Sequence, residues 1–129
     1  MKRKLGNSLV FLGRVPQDEV PSYYGISDCS LIIRENDRKN RAGFPTKMAE
    51  SMAAACPVMM NLTSDLADYA KDGKNAIIIK DFSTQSVTAG FLRLVNLQEE
   101  QLAKMKSSAK VVGQERFDWR NYMAPLHLF

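Results

Sequence analysis

The chain has 129 residues, of which 45% are hydrophobic and 25% charged, as in an ordinary single globular domain. Its 18 Lys and Arg against 14 Asp and Glu give a net charge of +4, which suits an anionic ligand or surface. No apolar run approaches the roughly 20 residues of a membrane span, and no signal-peptide pattern is present. Cys29 and Cys56 lack a CxxC or histidine partner, so the sequence predicts two small buried thiols in a reducing cytoplasm, and neither a disulfide scaffold nor a metal site.

Four short apolar runs predict the strands of a parallel sheet, because each is nearly continuous rather than alternating. These runs are residues 9–12, 30–33, 57–60 and 76–79. Helical patterns lie between and after them, at residues 16–25, 45–55, 64–71, 87–95 and 102–112, with a last one from residue 117. The alternation predicts a doubly wound, Rossmann-like α/β fold of about four strands with helices on both faces.

Residues 42–50, Ala-Gly-Phe-Pro-Thr-Lys-Met-Ala-Glu, predict a glycine-containing loop that opens directly into a helix. A helix N-terminus offers unpaired amides and a positive dipole end, which suit a phosphate. Pro45 fits the first turn of that helix. Lys47 and Glu50 are three residues apart and share one face, so a cation for a diphosphate and a carboxylate for sugar hydroxyls flank the same loop. The alternative without a binding role is that Lys47 and Glu50 form an exposed ion pair on the helix surface.

This segment, together with Pro57-Val58, resembles the donor-binding motif of retaining glycosyltransferases of the GT-B fold, family four or group one. The resemblance covers roughly residues 9–125 and includes the strand and turn at 10–16, the helix and strand at 23–33, and the segments 72–78 and 117–119. It implies that residues 1–129 are a single, incomplete GT-B C-terminal domain. The first two βα units and the N-terminal acceptor domain would precede Met1. We therefore expect residues 9–12 to lack contact with the other strands unless they rearrange or another chain completes the sheet.

The resemblance also implies site residues. It assigns contacts to the nucleotide base to Arg14 and Val15, the ribose to Glu50, and stabilisation of the departing diphosphate to Lys47. The full set of implied donor contacts is Arg14, Val15, Arg34, Gly43, Phe44, Pro45, Thr46 and Glu50, with Lys47 and Glu50 as catalytic residues. Two alternatives stay open: Phe44 packs in the core, and Arg34 is a surface salt-bridge residue. The charged segment 34–41 is either a solvated loop or a wall of the donor or acceptor cleft.

Three residues depart from the family pattern. Ala42 stands where a first glutamate is expected, eight positions before Glu50, and that carboxylate normally contacts the transferred sugar. Ala55 and Ala76 stand where glycines are usual. If those positions require positive φ, each alanine costs roughly 1 kcal/mol.

The resulting hypothesis is a retaining hexosyltransferase that moves a sugar from a UDP- or GDP-sugar to a bacterial surface polysaccharide. The implied partners are the donor, a glycan or lipid-linked acceptor and the missing N-terminal domain, with no nucleic acid, metal or other cofactor. The alternatives are a non-catalytic nucleotide-binding module and, less favoured by the segment 43–50, a piece of a sugar-nucleotide epimerase. A cytoplasmic location is expected, and attachment to the inner membrane face and a homo-oligomer stay open. The sequence does not specify the donor base, sugar, acceptor or linkage.

Overall fold

The computed structural model of the protein describes residues 8–123. Within that range, helices and parallel strands follow in the order α1 (Val20–Ile26), β1 (Ser30–Ile32), α2 (Arg38–Ala42), α3 (Thr46–Ala53), β2 (Val58–Asn61), β3 (Ala76–Ile79), α4 (Thr84–Val95) and α5 (Glu99–Arg116). Single 3₁₀ turns lie at Leu66–Asp68 and Trp119–Tyr122. The sheet order is β1-β2-β3 and both neighbouring pairs are parallel. None of the helices in residues 8–123 is long and apolar enough to span a membrane.

The central strand β2 carries the core on both of its faces. Val58 and Met60 belong to one cluster, into which α3 sends Met48 and Met52 and α5 sends Ala109. Met59, which points the other way, packs in a second cluster with Ile77 and Ile79 of β3 and with side chains of α4. Successive strand residues point to opposite faces, so a continuous apolar run is what a strand covered on both sides requires. The predicted α/β class, with helices on both faces, is confirmed.

Two glycines allow helices to lie unusually close to their neighbours. A Cβ at Gly90 of α4 would lie 2.5 Å from the Sδ of Met59 and 2.7 Å from Ile79. A Cβ at Gly113 of α5 would lie 2.6 Å from the backbone of Ala53 in α3. These separations leave no room for a methyl group. The α5–α3 contact in particular fixes the helix on which the candidate site is built.

The end of α3 is closed by backbone hydrogen bonds around a left-handed residue. Ala55 has φ of 59°, and its amide donates to Met52 O at 3.0 Å. The amide of Cys56 donates to Ser51 O at 2.9 Å. This is a Schellman motif, which normally has glycine at the left-handed position. Ala76, by contrast, is a buried residue of β3 with no such conformation. Of the two alanine-for-glycine departures, only Ala55 occupies a position with positive φ.

A partly buried pair of hydroxyls joins this turn to the sheet. The Ser51 hydroxyl donates to Cys56 O at 2.8 Å and lies 2.7 Å from the hydroxyl of Ser30 at the start of β1. Cys56 is buried and Cys29 half-buried, and neither is in a disulfide. Burial raises the pKa of the Cys29 thiol to about 12, and burial also raises the pKa of Cys56. Both are therefore protonated at neutral pH.

The prediction of a first strand at residues 9–12 is wrong. Leu9, Val10, Phe11 and Leu12 form no strand, and their side chains are 39, 72, 64 and 54% exposed. The sheet consequently has three strands in residues 8–123, rather than about four. The physical reason is that β1 pairs with β2 alone among the described strands, so no strand of this sheet extends the ladder to residues 9–12.

Several helix boundaries also differ from those predicted. The helix placed at residues 16–25 begins only at Val20 and continues through Gly25 to Ile26. The helix placed at 64–71 is reduced to the 3₁₀ turn Leu66–Asp68, because Ser64 adopts φ of 56° and interrupts the chain before it. The charged segment 34–41 is not entirely a loop, since Asp37 caps α2 by accepting a hydrogen bond from the Asn40 amide at 2.7 Å.

We expect the Ala55→Gly substitution to raise the free energy of unfolding by about 1 kcal/mol, because it removes the Cβ penalty of the left-handed conformation. Urea denaturation measures this difference. Ala76→Gly is the matched control. It places glycine in a buried strand and is expected to lower stability by at least about 0.5 kcal/mol. Equal effects of the two substitutions would contradict this account of Ala55.

Candidate functional site

The candidate site is organised by the first turn of α3. Pro45 is the residue before the helix, with φ of −77° and ψ of 102°, and no side chain within residues 8–123 caps the turn. Burial of Pro45, Met48 and Met52 anchors the helix against the sheet, while Thr46 and Lys47 stay exposed. The first amides of an α-helix have no intrahelical acceptor. The start of α3 therefore presents donors and a positive dipole end towards solvent.

A cleft of about 270 Å³ opens at this turn. We call it the Lys47 cleft; its lining residues come from the end of β1 and the start of α3 and are Leu31, Ile32, Ile33, Arg34, Phe44, Thr46 and Lys47. The carboxyl ends of parallel strands are where α/β sheets bind ligands. Four of the predicted site residues, Arg34, Phe44, Thr46 and Lys47, are brought together here, and its two cations favour an anion.

Arg34 is held at the cleft by two contacts. Its Nη1 donates to Gly43 O at 3.4 Å, which ties the guanidinium to the turn before α3. Its backbone is held by the buried side chain of Asn61 at the end of β2. Asn61 Oδ1 accepts from Arg34 N at 3.0 Å, and Asn61 Nδ2 donates to Arg34 O at 2.7 Å. The Asn61 amide thus extends the β1–β2 ladder by one pair beyond the strands. Arg34 makes no ion pair within residues 8–123, so the salt-bridge alternative is not observed there.

Gly43 is exposed, and neither its backbone conformation nor its packing requires a glycine. Its φ of −127° and ψ of 134° are extended values that any residue adopts, and a Cβ there would meet nothing within 4 Å. The space beside its backbone is therefore open to a ligand.

Phe44 packs against the core and also lines the Lys47 cleft. Its ring lies 5.5 Å from the Tyr69 ring and 5.5 Å from the Phe117 ring, measured between centroids. Tyr69 in turn lies 5.1 Å from Phe117 and has the Arg116 guanidinium 5.1 Å from its centroid. The prediction that Phe44 packs in the core is confirmed. The aromatic cluster holds the segment immediately before Pro45.

Glu50 opens to a separate cleft of about 510 Å³, which we call the Glu50 cleft. Its lining residues belong to the turn before α1, to α1 itself and to α3, and are Val15, Gln17, Val20, Pro21 and Glu50. Within the described residues Glu50 makes no ion pair with Lys47. Nearby Tyr24 is partly buried; this burial, and secondarily the charge of Glu50, raises the pKa of its hydroxyl.

The predicted site residues therefore fall into four groups. Arg34, Phe44, Thr46 and Lys47 share one cleft, and Val15 and Glu50 share the other. Gly43 and the buried Pro45 connect the two structurally, since they form the entry to α3. Arg14 is exposed and lines neither cleft, although it follows Gly13, whose φ of 70° turns the chain there.

Sequence reasoning missed two features at the end of β2. Asn61 follows an apolar strand, and a single asparagine there carries no signal of the clamp that it forms. Thr63 is 3% exposed and its hydroxyl finds no hydrogen-bond partner among the described residues, while the next residue, Ser64, has a left-handed φ. No group of three or more His, Cys, Asp or Glu residues within residues 8–123 could hold a metal ion.

A family model described as glycosyl transferases group 1 matches residues 1–112. The chain belongs to this family. The match includes α3 and both clefts, so the resemblance noted from residues 43–58 is confirmed at the level of the family. A comparison with curated proteins finds no significant match.

Solved structures of GT-B glycosyltransferases share the fold. Sucrose-phosphate synthase from Thermosynechococcus elongatus superposes with a TM-score of 0.80 at 15% identity, over 98% of this chain and 31% of its own. HepE from Anabaena, in complex with UDP-glucose, gives 0.77 at 18% identity over 97% and 33%. The C-terminal domain of the group 1 protein LpcC from Francisella tularensis gives 0.71 at 17% identity over 90% and 60%. The chain thus spans about a third of the first two proteins.

We expect Asn61→Ala to lower the free energy of unfolding by about 1–3 kcal/mol, because it leaves the Arg34 amide and carbonyl without their partner in a half-buried position. Urea denaturation checks this. Asn96→Ala is the matched control, since Asn96 also bonds a backbone carbonyl, that of Leu92, but is exposed. A loss for Asn61 no larger than for Asn96 would contradict the proposed clamp.

Proposed function

We propose that this protein binds a nucleotide sugar and provides the donor side of a retaining hexosyl transfer to a glycan acceptor. The observation that carries the proposal is the placement of Lys47 and Glu50. They lie one turn apart on α3 and open to different clefts, a cationic one at the helix start and a carboxylate one beside α1. A nucleotide sugar has a matching division into an anionic diphosphate and a ribose with vicinal hydroxyls.

In this proposal the diphosphate lies in the Lys47 cleft. The unpaired amides of α3, the hydroxyl of Thr46 and the cations Lys47 and Arg34 bind its oxygens, and the bare backbone at Gly43 allows close approach. The Glu50 carboxylate accepts hydrogen bonds from the ribose hydroxyls in the second cleft. The base lies beyond it, near the backbone of Arg14 and Val15. HepE, which shares the fold, is known with UDP and with UDP-glucose, which supports a uridine donor.

Catalysis by these residues is electrostatic. When the bond between the anomeric carbon and the diphosphate oxygen breaks, the electron pair leaves with the diphosphate. Lys47 and the dipole of α3 stabilise that developing charge, which is the type of interaction that contributes most to many enzymes. An acceptor hydroxyl attacks the anomeric carbon from the face that the diphosphate leaves, and its proton goes to the departing oxygen. No metal or other cofactor is required by this scheme.

The whole reaction is proposed to need more polypeptide than this chain, which spans about a third of the first solved structures that it matches. The expected partners are an N-terminal GT-B domain and a glycan or lipid-linked acceptor of a bacterial surface polysaccharide. Residues 1–129 would form one donor-binding unit at the cytoplasmic side of the membrane, and alone they are expected to give no turnover.

Thermal melts with UDP and with GDP test donor binding. Ligand at about 100 times its dissociation constant should add roughly 2.7 kcal/mol, a shift of several degrees. We expect one nucleotide to raise the melting temperature and the shift to be lost in Glu50→Ala. Glu99→Ala, an exposed carboxylate outside both clefts, should retain it. Gly43→Ala should leave the melt of the free protein unchanged but reduce the shift. A cooperative melt that neither nucleotide shifts would refute the proposal.

A second function is favoured by Ala42, the last residue of α2, which is exposed and provides no carboxylate for the sugar. A non-catalytic module that binds only the nucleotide would gain nothing from the attached hexose. Isothermal titration with UDP and UDP-glucose separates the two functions. Equal affinities, retained in Ala42→Glu, would indicate the nucleotide-binding module. Tighter binding of the sugar nucleotide than of UDP would indicate a transferase donor site.

A further inference from the structure

The strongest unassigned feature is the concentration of positive charge beside the Lys47 cleft. Residues 34–47 contain five cations and two carboxylates, so this segment carries +3 of the net +4 of the whole chain. Arg34 and Lys47 line the cleft itself. The other three cations, Arg38, Lys39 and Arg41, lie on α2 and are exposed. We call these three the α2 cations.

The α2 cations are not neutralised by the protein. Within residues 8–123 none of them forms an ion pair with a carboxylate. Asp37 is occupied as the cap of α2, where it accepts from the Asn40 amide at 2.7 Å. The one side-chain hydrogen bond of an α2 cation within that range runs from Arg41 Nε to Asp37 O at 3.3 Å, and its acceptor is a carbonyl rather than a carboxylate. Like charges held this close repel each other and therefore favour an external anion.

Their position connects them to the donor cleft. Helix α2 ends at Ala42, three residues separate it from the start of α3, and Gly43 O in this short connection accepts a hydrogen bond from Arg34 of the cleft at 3.4 Å. In the proposed function, Arg34, Lys47 and the α3 amides already bind the donor diphosphate. The α2 cations are therefore a second group of positive charge next to the one that a donor would use.

We propose that the α2 cations bind a phosphate group of the acceptor, so that the acceptor substrate is a phosphate ester or diphosphate. This inference rests on the proposed function. An anionic bilayer fits less well, because α2 has five residues, of which only Ala42 is apolar, and so has no hydrophobic face to insert. A nucleic acid fits less well because α2 has no aromatic side chain on which bases could stack.

Titration of the UDP-saturated protein tests the inference. The probes are farnesyl diphosphate, as a lipid-type diphosphate, and glucose 1-phosphate, as a soluble sugar phosphate, with farnesol as the uncharged control. The variant is the triple substitution Arg38→Ala, Lys39→Ala and Arg41→Ala. Its matched control removes three exposed cations elsewhere, by Lys74→Ala, Lys80→Ala and Lys110→Ala. Phosphatidylcholine vesicles with and without phosphatidylglycerol provide the membrane comparison.

We expect at least one phosphate probe to bind the wild type and the α2 triple variant to bind it about tenfold more weakly, which corresponds to about 1.4 kcal/mol. The control triple variant should bind it as the wild type does, and both should retain wild-type affinity for UDP. Which probe binds identifies a lipid-linked or a soluble source of the phosphate.

Other outcomes would overturn the inference. These are no binding of either probe, equal weakening by both triple variants, or α2-dependent binding of anionic vesicles without binding of the probes. Loss of UDP affinity in the α2 triple variant would also overturn it, because the cations would then belong to the donor site. If UDP fails to bind the wild type, the proposed function fails, and titration of the probes without UDP still decides whether the α2 cations bind phosphate.

Discussion

The central strand β2 is buried on both faces and hydrogen-bonded along both edges, and the positions of the candidate site residues depend on it. Its side chains alternate between two apolar clusters, one closed by α3 and α5 and the other by α4 and Met105 of α5. Its start is joined to α3 through the left-handed turn at Ala55, and its end holds the Arg34 backbone through Asn61. A shift of β2 would therefore move both the helix that carries Lys47 and Glu50 and the loop that carries Arg34.

Sequence patterns predicted the fold class and most of the central elements because those elements are buried. β2 and β3 are continuous apolar runs, and Met48 and Met52 repeat at helical spacing, so burial itself leaves the signal. Prediction failed where an apolar segment has no neighbouring strand in the sheet. Residues 9–12 have the composition of a strand, but no neighbouring strand of the sheet pairs with them. A hydrophobic pattern indicates which side chains of a segment could be buried. Whether the segment becomes a strand depends on a neighbouring strand with which it can form hydrogen bonds.

The candidate site was predicted less completely, for a different reason. Lys47 and Glu50 could be proposed as candidates because both lie on one helix, where their spacing limits their relative direction, and their roles stay predictions. The division of the site into two clefts could not be predicted from the sequence. It depends on which elements flank α3, with β1 on one side and α1 on the other. Asn61 and Thr63 were also missed, since their importance arises from the sheet edge at which they lie. Contacts between residues distant in sequence leave no local pattern.

The burial of the two thiols has a practical consequence for spectroscopy. Thiolates rather than thiols react with maleimides and iodoacetamides. With the pKa of Cys29 at about 12 and that of buried Cys56 also raised, both native cysteines are poor targets at neutral pH. A cysteine introduced at exposed Lys39 would therefore take up a fluorophore or spin label selectively, without prior removal of the native ones. Such a label would report changes in the surroundings of α2, at the cost of one α2 cation.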